Sequence, residues 1–225
     1  MKKNDTLLQA FEWYLPDDSQ HWNKLKVLAP SFSNLGVTLV WLPPAYKGAG
    51  GVHDVGYGVY DLYDLGEFDQ KGTIPTKYGT KQEYLDAIDA LQKENISVLA
   101  DIVLNQKMGG DTEETIDVIK IDPNNRNEEI GGDYQITAWT KFTFPNRHGK
   151  YSTFTWNASH FDGTDWDEKK KHSAIYLIEG KNWDSNVDSE NCNYDYLMGC
   201  DIDFKNQEVL QEFNRWGKWY LDTTG

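Results

Sequence analysis

In the N-terminal half of the chain, short runs of large apolar residues alternate with stretches in which apolar positions return at helical spacing. Thr6 to Trp13 reads as a first strand carrying Gln9 and Glu12 among apolar neighbours. From His21 to Leu35, the residues Trp22, Leu25, Leu28, Ala29, Phe32 and Leu35 share a helical face, Gly36 supplies a stop, and Pro30 is expected to kink or shorten the helix. Val37 to Leu42 forms a second strand, ended by Pro43 and Pro44. Thr80 and Glu83 make a capping box for a second helix with Leu85, Ile88 and Leu91 on its inner face. Val98, Leu99, Ile102, Val103 and Leu104 then form a third, buried strand that runs on to Asn105 and Gln106.

This strand–helix–strand–helix–strand order predicts an α/β fold with a parallel sheet. Ligands of such folds sit at the carboxyl ends of the strands, which is where Asn105 and Gln106 fall. Asp101 and Asn105, embedded in an apolar run, are costly to bury without partners, although an Asn that merely caps a turn is the plainer reading of that position. The connection from Ala45 to Tyr78, rich in Gly and Tyr, is too long to be idle in a compact fold. After Gln106 the composition shifts to Asp, Asn, Thr, Gly and aromatics with short alternating pieces, which predicts an irregular β-rich excursion to about Lys205. Asn206 can cap a last helix in which Val209, Phe213, Trp216 and Tyr220 share a face. Three strands and an excursion do not close an eight-stranded barrel, so the pattern is expected to be the front of something longer.

The 225 residues carry a net charge of −14, which disfavours nucleic acid and anionic membranes as partners. The 9 Trp and 13 Tyr are more aromatic surface than a core of this size needs, and flat rings outside a core commonly stack on ligands such as sugars. Cys192 and Cys200 imply no disulfide framework. They fit free thiols in a reducing compartment, with a single bridge left open. The N-terminus has no apolar signal core and no run is long enough to span a bilayer, so the expected setting is soluble and cytoplasmic.

The acidic residues of the excursion fall in four pieces: Phe161 to Asp167, Asn182 to Asp184, Tyr194 to Met198, and Asp201 to Asp203. Ca²⁺ takes six to eight oxygens, and carboxylates from several loops can converge on it; Asx-turns and a solvated surface are the alternative. With the strand around Asp101, these pieces resemble the α-amylases of the barrel-fold α-glucan hydrolases, most closely the bacterial liquefying and cytoplasmic types. The resemblance is carried by Leu7 to Tyr14, Trp41 to Gly48, Asp54 to Gly58, Tyr60 to Phe68 and Asn193 to Met198.

The resemblance implies that residues 1–106 supply the first three β/α units of a (β/α)8 TIM barrel. It makes 107–205 a calcium-bearing β-rich insert domain and 206–225 a helix returning to the barrel. It further implies Asn105, Asp195 and Asp201 as calcium ligands, with Asp162, Asp184 and Asp203 at neighbouring metal positions. Tyr57 corresponds to the tyrosine that stacks on the sugar beside the scissile bond, Gln9 and Trp13 border the same cleft, and Asp101 organises the site without attacking the sugar. Two positions depart from the family pattern. Gln106 stands where a histidine usually contacts the sugar, able to hydrogen-bond but not to carry charge. Lys205 stands where calcium-rich members have another carboxylate, which points to a single calcium.

The implied activity is endo-hydrolysis, with retention, of internal α-1,4-glucosidic bonds in starch, glycogen and maltooligosaccharides. Retaining chemistry needs a carboxylate nucleophile and a carboxylic acid. In the family both lie beyond the stretch that matches here, so the isolated chain is expected to be inactive and to need the C-terminal part of the same enzyme. The alternative from another class is a non-catalytic module that binds calcium and carbohydrate.

Overall fold

The computed structural model describes residues 4–225, apart from the side chain of Asp133. Its residues fall into two compact units. The first comprises the chain up to Val103 together with Asn146–His148 and Trp219–Gly225; the second comprises Leu104–Pro145 and Gly149–Lys218.

The first unit holds β1 (Leu7–Gln9), α1 (His21–Asn34), β2 (Leu39–Leu42), β3 (Lys47–Gly48), β4 (Val59–Asp61), α2 (Lys81–Lys93) and β5 (Ser97–Ala100). Strands β1, β2 and β5 form a parallel sheet in the order β1-β2-β5, with Leu8 opposite Val40 and Val40 opposite Val98. Each crossover carries one helix, as the alternating periodicity predicts. In α1 the buried side chains are His21, Trp22, Leu25 and Ala29, whereas Leu28 and Leu35 point outward; the helix runs four residues past Pro30. The capping box at the start of α2 is present: the Glu83 N–H donates to Thr80 Oγ1 and the Thr80 N–H donates to Glu83 Oε2. The buried face of α2 is Tyr84, Ala87, Ile88 and Leu91, so Ile88 and Leu91 are buried as the pattern predicts, while Tyr84 is buried and Leu85 only partly so.

The third strand differs from its expectation. It ends at Ala100, not Gln106, and Leu99 and Ile102 are 43% and 45% exposed. The physical reason is its position at the edge of a three-stranded sheet. Beyond Ala100 a last sheet bond joins the Asp101 N–H to the Leu42 carbonyl, after which the Val103 N–H turns to the Tyr46 hydroxyl. A β-branched run therefore continues in sequence where the ladder has already stopped.

The long connection between β2 and α2 is organised by buried charge. Lys47 is fully buried, and its ammonium donates to the carbonyls of Phe68 (3.1 Å), Thr73 (2.5 Å) and Ile74 (2.7 Å), with Asp64 Oδ2 at 3.4 Å. Asp64 in turn accepts the backbone N–H groups of Gly66, Glu67 and Phe68 through Oδ1, and the Gln70 amide donates to both Asp61 and Asp64. Arg147 closes the network on Asp61 at 3.0 Å, its guanidinium lying over the Tyr63 ring. These bonds satisfy carbonyls that no strand or helix would satisfy.

The second unit holds β6 (Gln106–Lys107), β7 (Thr112–Ile121), β8 (Glu129–Lys141), β9 (Phe161–Asp167), β10 (His172–Ile178) and β11 (Cys200–Ile202), and α3 (Gln207–Thr224) begins within it. The six strands form one antiparallel sheet in the order β6-β11-β9-β10-β7-β8, so the excursion is β-rich as its alternating pieces predict. Phe142, Trp156 and Phe161 pack its core, and the ammonium of the buried Lys107 sits about equally far from the rings of Phe142, Phe144 and Trp156, at 5.0–5.3 Å. Asn206 caps α3 by accepting the N–H groups of Glu208 and Val209, and Val209, Trp216 and Tyr220 are buried.

Truncating the charge at the centre of the first unit tests this account. Lys47→Met leaves the buried Asp64 carboxylate without its cation and takes a donor from the Phe68, Thr73 and Ile74 carbonyls, and is expected to cost about 3–5 kcal/mol. The urea midpoint of the purified chain measures it; an unchanged midpoint would contradict the role given to Lys47.

Candidate functional site

Two groups of side chains stand out, one in each unit. In the second unit β9 carries Asp162 at its second position, β11 carries Asp201, and the loop before β11 carries Asp195. Oxygens of these three carboxylates all lie within 4.8 Å of one another. The sheet register sets part of this, because Asp201 faces Gly163 across the β9–β11 ladder and Gln106 across the β11–β6 ladder. The other part is set by packing. The Trp183 ring lies against Gly163, where an added Cβ would meet it at 2.5 Å, and the Trp183 indole N–H donates to the Arg126 carbonyl at 3.0 Å. The Arg126 guanidinium donates to the Tyr196 carbonyl and stacks over the Tyr194 ring at 4.4 Å, fixing the loop that carries Asp195.

The electrostatics of the trio are unfavourable without a cation. Burial, then the neighbouring Asp203, pushes the Asp162 carboxyl up to about 7. Burial, then Asp195, Asp162 and Asp184, pushes Asp201 up to about 9, and burial raises Asp195 despite the Asp184 N–H it accepts at 2.6 Å. Oδ2 of Asp162 and Oδ2 of Asp201 are buried with no hydrogen-bond partner. Asn105 adjoins the trio, its amide 3.3 Å from Asp201 Oδ1. Asp184 and Asp203 do not converge with it: Asp184 pairs with Lys205 at 2.7 Å and Asp203 with Lys181 at 2.5 Å. Burial raises Asp203, but the Lys181 ammonium together with the backbone N–H groups of Lys205 and Asn206 pulls it below the usual range.

The second group is a cleft of about 380 Å³ in the first unit, lined by Gln9, Phe11, Glu12, Trp13, Trp41, Val55, Tyr57 and Tyr78. Trp13 and Tyr57 stand nearly parallel, 7° apart with centroids separated by 6.1 Å, and Phe11 meets Trp41 edge to face. Trp13 is 61% exposed, so this aromatic surface faces solvent. The turn that presents Tyr57 needs its glycines. Gly56 has φ +101° and a Cβ there would meet Pro44 at 2.6 Å, while a Cβ on Gly58 would meet Asp54 Oδ2 at 2.6 Å. Asp54 holds the turn by accepting the N–H groups of Gly50, Gly56 and Gly58. The Tyr57 hydroxyl donates to Asp101 Oδ2 at 2.8 Å; burial first, and then that carboxylate, push the phenol up to about 12. Tyr57 therefore stays a neutral, oriented ring.

Of the residues singled out in the sequence, Gln9, Trp13 and Tyr57 meet at this cleft and Asp101 braces it. Gln106 belongs to the second unit, where it is buried in β6 and its backbone pairs with Asp201. Nothing in the sequence pattern marks the roles of Arg126, Trp183 or Lys181, whose partners lie 22 to 70 positions away. Phe11, Trp41 and Tyr78, which the sequence pattern places only within the first two strands and at the end of the long connection, also line the cleft.

The mixed α/β organisation is shared with alternansucrases of known structure. Truncated alternansucrase from Leuconostoc mesenteroides superimposes with a TM-score of 0.54 at 27% identity, covering 61% of this chain and 13% of that one. No protein-family model matches the chain. Curated relatives are more similar: an α-amylase of Geobacillus stearothermophilus is 55% identical over 98% of this chain, and a cytoplasmic α-amylase of Escherichia coli is 46% identical over 99%. The chain is related to the α-amylases along nearly its whole length, and it spans 40% and 46% of the length of these two relatives. Among the described residues no helix is long and apolar enough to cross a membrane.

The acidic trio makes a pH dependence. An acid whose pKa is raised on folding stabilises the native state below its unfolded value near 3.8, and that contribution is lost as pH rises through the folded value. The chelator-treated chain is therefore expected to lose thermal stability between about pH 4 and about pH 9, and Asp201→Asn to flatten the loss. An Asp201→Asn profile parallel to that of the parent would contradict the charge repulsion assigned to the trio.

Proposed function

We propose that the protein to which this chain corresponds is an α-amylase-type glycoside hydrolase, cleaving internal α-1,4-glucosidic bonds of starch, glycogen and maltooligosaccharides with retention. The observation that carries this reading is the relation to α-amylases at 46–55% identity over 97–99% of the chain. In this reading residues 1–106 are the first three β/α units of a (β/α)8 barrel, 107–205 the insert domain and 206–225 the returning helix. The exposed apolar side chains Leu7, Leu99 and Ile102 on and beside the parallel sheet are consistent with further strands covering them. A cytoplasmic setting follows the relative from Escherichia coli and is proposed with the same reading.

Tyr57 and Trp13 offer a sugar ring a flat apolar surface, and Gln9 a hydrogen-bonding edge. Asp101 is a positioning residue that acts through the Tyr57 hydroxyl. Gln106 is retained as a candidate sugar contact from the family pattern. The acidic trio fits a hard divalent cation, since buried carboxylate oxygens without partners are what Ca²⁺ coordinates. Asp162, Asp195 and Asp201 would hold it, with Asn105 turning its amide to present the carbonyl oxygen. Bound calcium would neutralise the trio and fasten the loops that bear it. Asp184 and Asp203 stay neighbours of that site.

Glu12 and Asp101, the carboxylates at the cleft, are already engaged, Glu12 by the Tyr14 N–H and Asp101 by Tyr57. Neither is assigned as nucleophile or general acid; both of those roles go to the C-terminal part of the enzyme. The same observation favours a second reading for the chain by itself, a calcium- and carbohydrate-binding module without turnover.

The test pairs two assays on the purified 225-residue chain. Soluble starch is expected to release no reducing sugar, while calorimetry with maltoheptaose detects binding that Tyr57→Ala weakens about ten-fold, or about 1.4 kcal/mol. Reducing-sugar release would overturn the assignment of catalysis to other residues, and binding indifferent to Tyr57→Ala would overturn the cleft.

A further inference from the structure

The cleft of the first unit rests on a buried imidazole. His21 opens α1 and is only 8% exposed. Its ring packs against Trp22 and Tyr78, with centroids 5.6 Å away in each case, and Tyr78 is a wall of the cleft. The imidazole also donates a hydrogen bond to the carbonyl of Ala10, which stands between the cleft residues Gln9 and Phe11. Nε2 is buried without a partner, which leaves Nδ1–H as the donor. One side chain thus ties two walls of the cleft together, the end of β1 and the end of the long connection. Each wall has a further anchor: the Ala10 N–H donates to the Trp41 carbonyl at 2.9 Å, and the Tyr78 hydroxyl to the Val55 carbonyl at 2.9 Å.

A neutral imidazole with its proton on Nδ1 fits this place, and an imidazolium does not. Protonation would put an N–H on Nε2, where no acceptor waits, and would bury a charge with it. Burial lowers the His21 pKa, against the pull of the Ala10 carbonyl; Lys24 on the same helix lowers it further, and Asp18 in the preceding turn raises it. The rings packed on it, Trp22 and Tyr78, are neutral, since burial keeps the Tyr78 phenol above its usual range. We propose that His21 is a positioning residue for carbohydrate binding: neutral, it holds Ala10 and Tyr78 in place around the sugar-stacking surface, and protonated, it releases them, so that the cleft loses affinity in acid. The inference rests on the cleft reading of Gln9, Trp13 and Tyr57, and extends it to a residue behind the cleft wall.

Two measurements on the purified chain test it, with folding of each variant checked by circular dichroism. Nitrogen-15 NMR of the His21 ring is expected to show the Nδ1–H tautomer at neutral pH and a titration midpoint below 6.5. Calorimetry with maltoheptaose is expected to show affinity falling about ten-fold as pH drops through that midpoint. His21→Asn keeps an amide donor where Nδ1 stands and has nothing to titrate. It is expected to bind within about two-fold of the parent at neutral pH and to lose the acid fall, whereas His21→Ala binds about ten-fold more weakly at neutral pH. His53→Gln removes the exposed imidazole that pairs with Asp17, and is expected to keep the acid fall. An Nε2–H tautomer, an affinity constant through the His21 midpoint, a fall that persists in His21→Asn, or one that vanishes in His53→Gln would overturn the role of His21 alone. A parent that binds no maltoheptaose, or binds it indifferently to Tyr57→Ala, would overturn the cleft reading and the inference with it.

Discussion

Carboxylates cannot crowd together in a buried place and all remain charged unless something positive joins them. Asp162, Asp195 and Asp201 meet that condition within 4.8 Å, and much of the second unit is arranged around it. Gly163 lets the Trp183 ring approach β9, Trp183 binds the Arg126 carbonyl, and Arg126 fastens the loop that brings Asp195 to Asp201. The sheet supplies Asp162 and Asp201 from adjacent strands. Repulsion among the three is the cost of this convergence; the ammonium groups of Lys205 and Lys181 counter part of it at Asp162, and in the proposed reading a divalent ion would offset the rest.

The first unit uses a buried charge of the opposite sign for a similar purpose. Lys47 gathers carbonyls from a connection too long to be tied by strands, and Asp64, Asp61, Gln70 and Arg147 complete the set. The same connection bears the glycine turn that presents Tyr57 toward Trp13. Its rigidity therefore serves the cleft: Tyr57 is held by Asp101 on one side and by its turn on the other, so the ring is ordered before any ligand arrives.

The features readable from the sequence were those with short-range causes. The capping box at Thr80 and Glu83, the cap at Asn206, the helix faces and the glycine-flanked Tyr57 all depend on residues within a few positions of one another. The end of the third strand was not readable, because Ile102, Val103 and Leu104 continue the β-branched pattern after hydrogen bonding has moved to Tyr46. The resemblance groups Asp195 and Asp201 with Asn105 and puts Asp162 at a neighbouring metal position; the convergence of Asp162, Asp195 and Asp201 themselves could not be derived from spacing. The reason is that it depends on an antiparallel register and on Arg126 and Trp183, whose own partners are distant in sequence. Lys181 gave no signal at all, since a lone lysine in a polar loop looks like any solvated residue.

The central claim is that the acidic trio is built for a divalent cation. Its most direct test is the thermal unfolding of the chelator-treated chain with and without added calcium, the parent beside Asp201→Asn. The account predicts that calcium raises the melting temperature of the parent and leaves that of Asp201→Asn unchanged, because binding to the native state alone shifts unfolding upward. Superimposable melts of the parent in chelator and in calcium would contradict it.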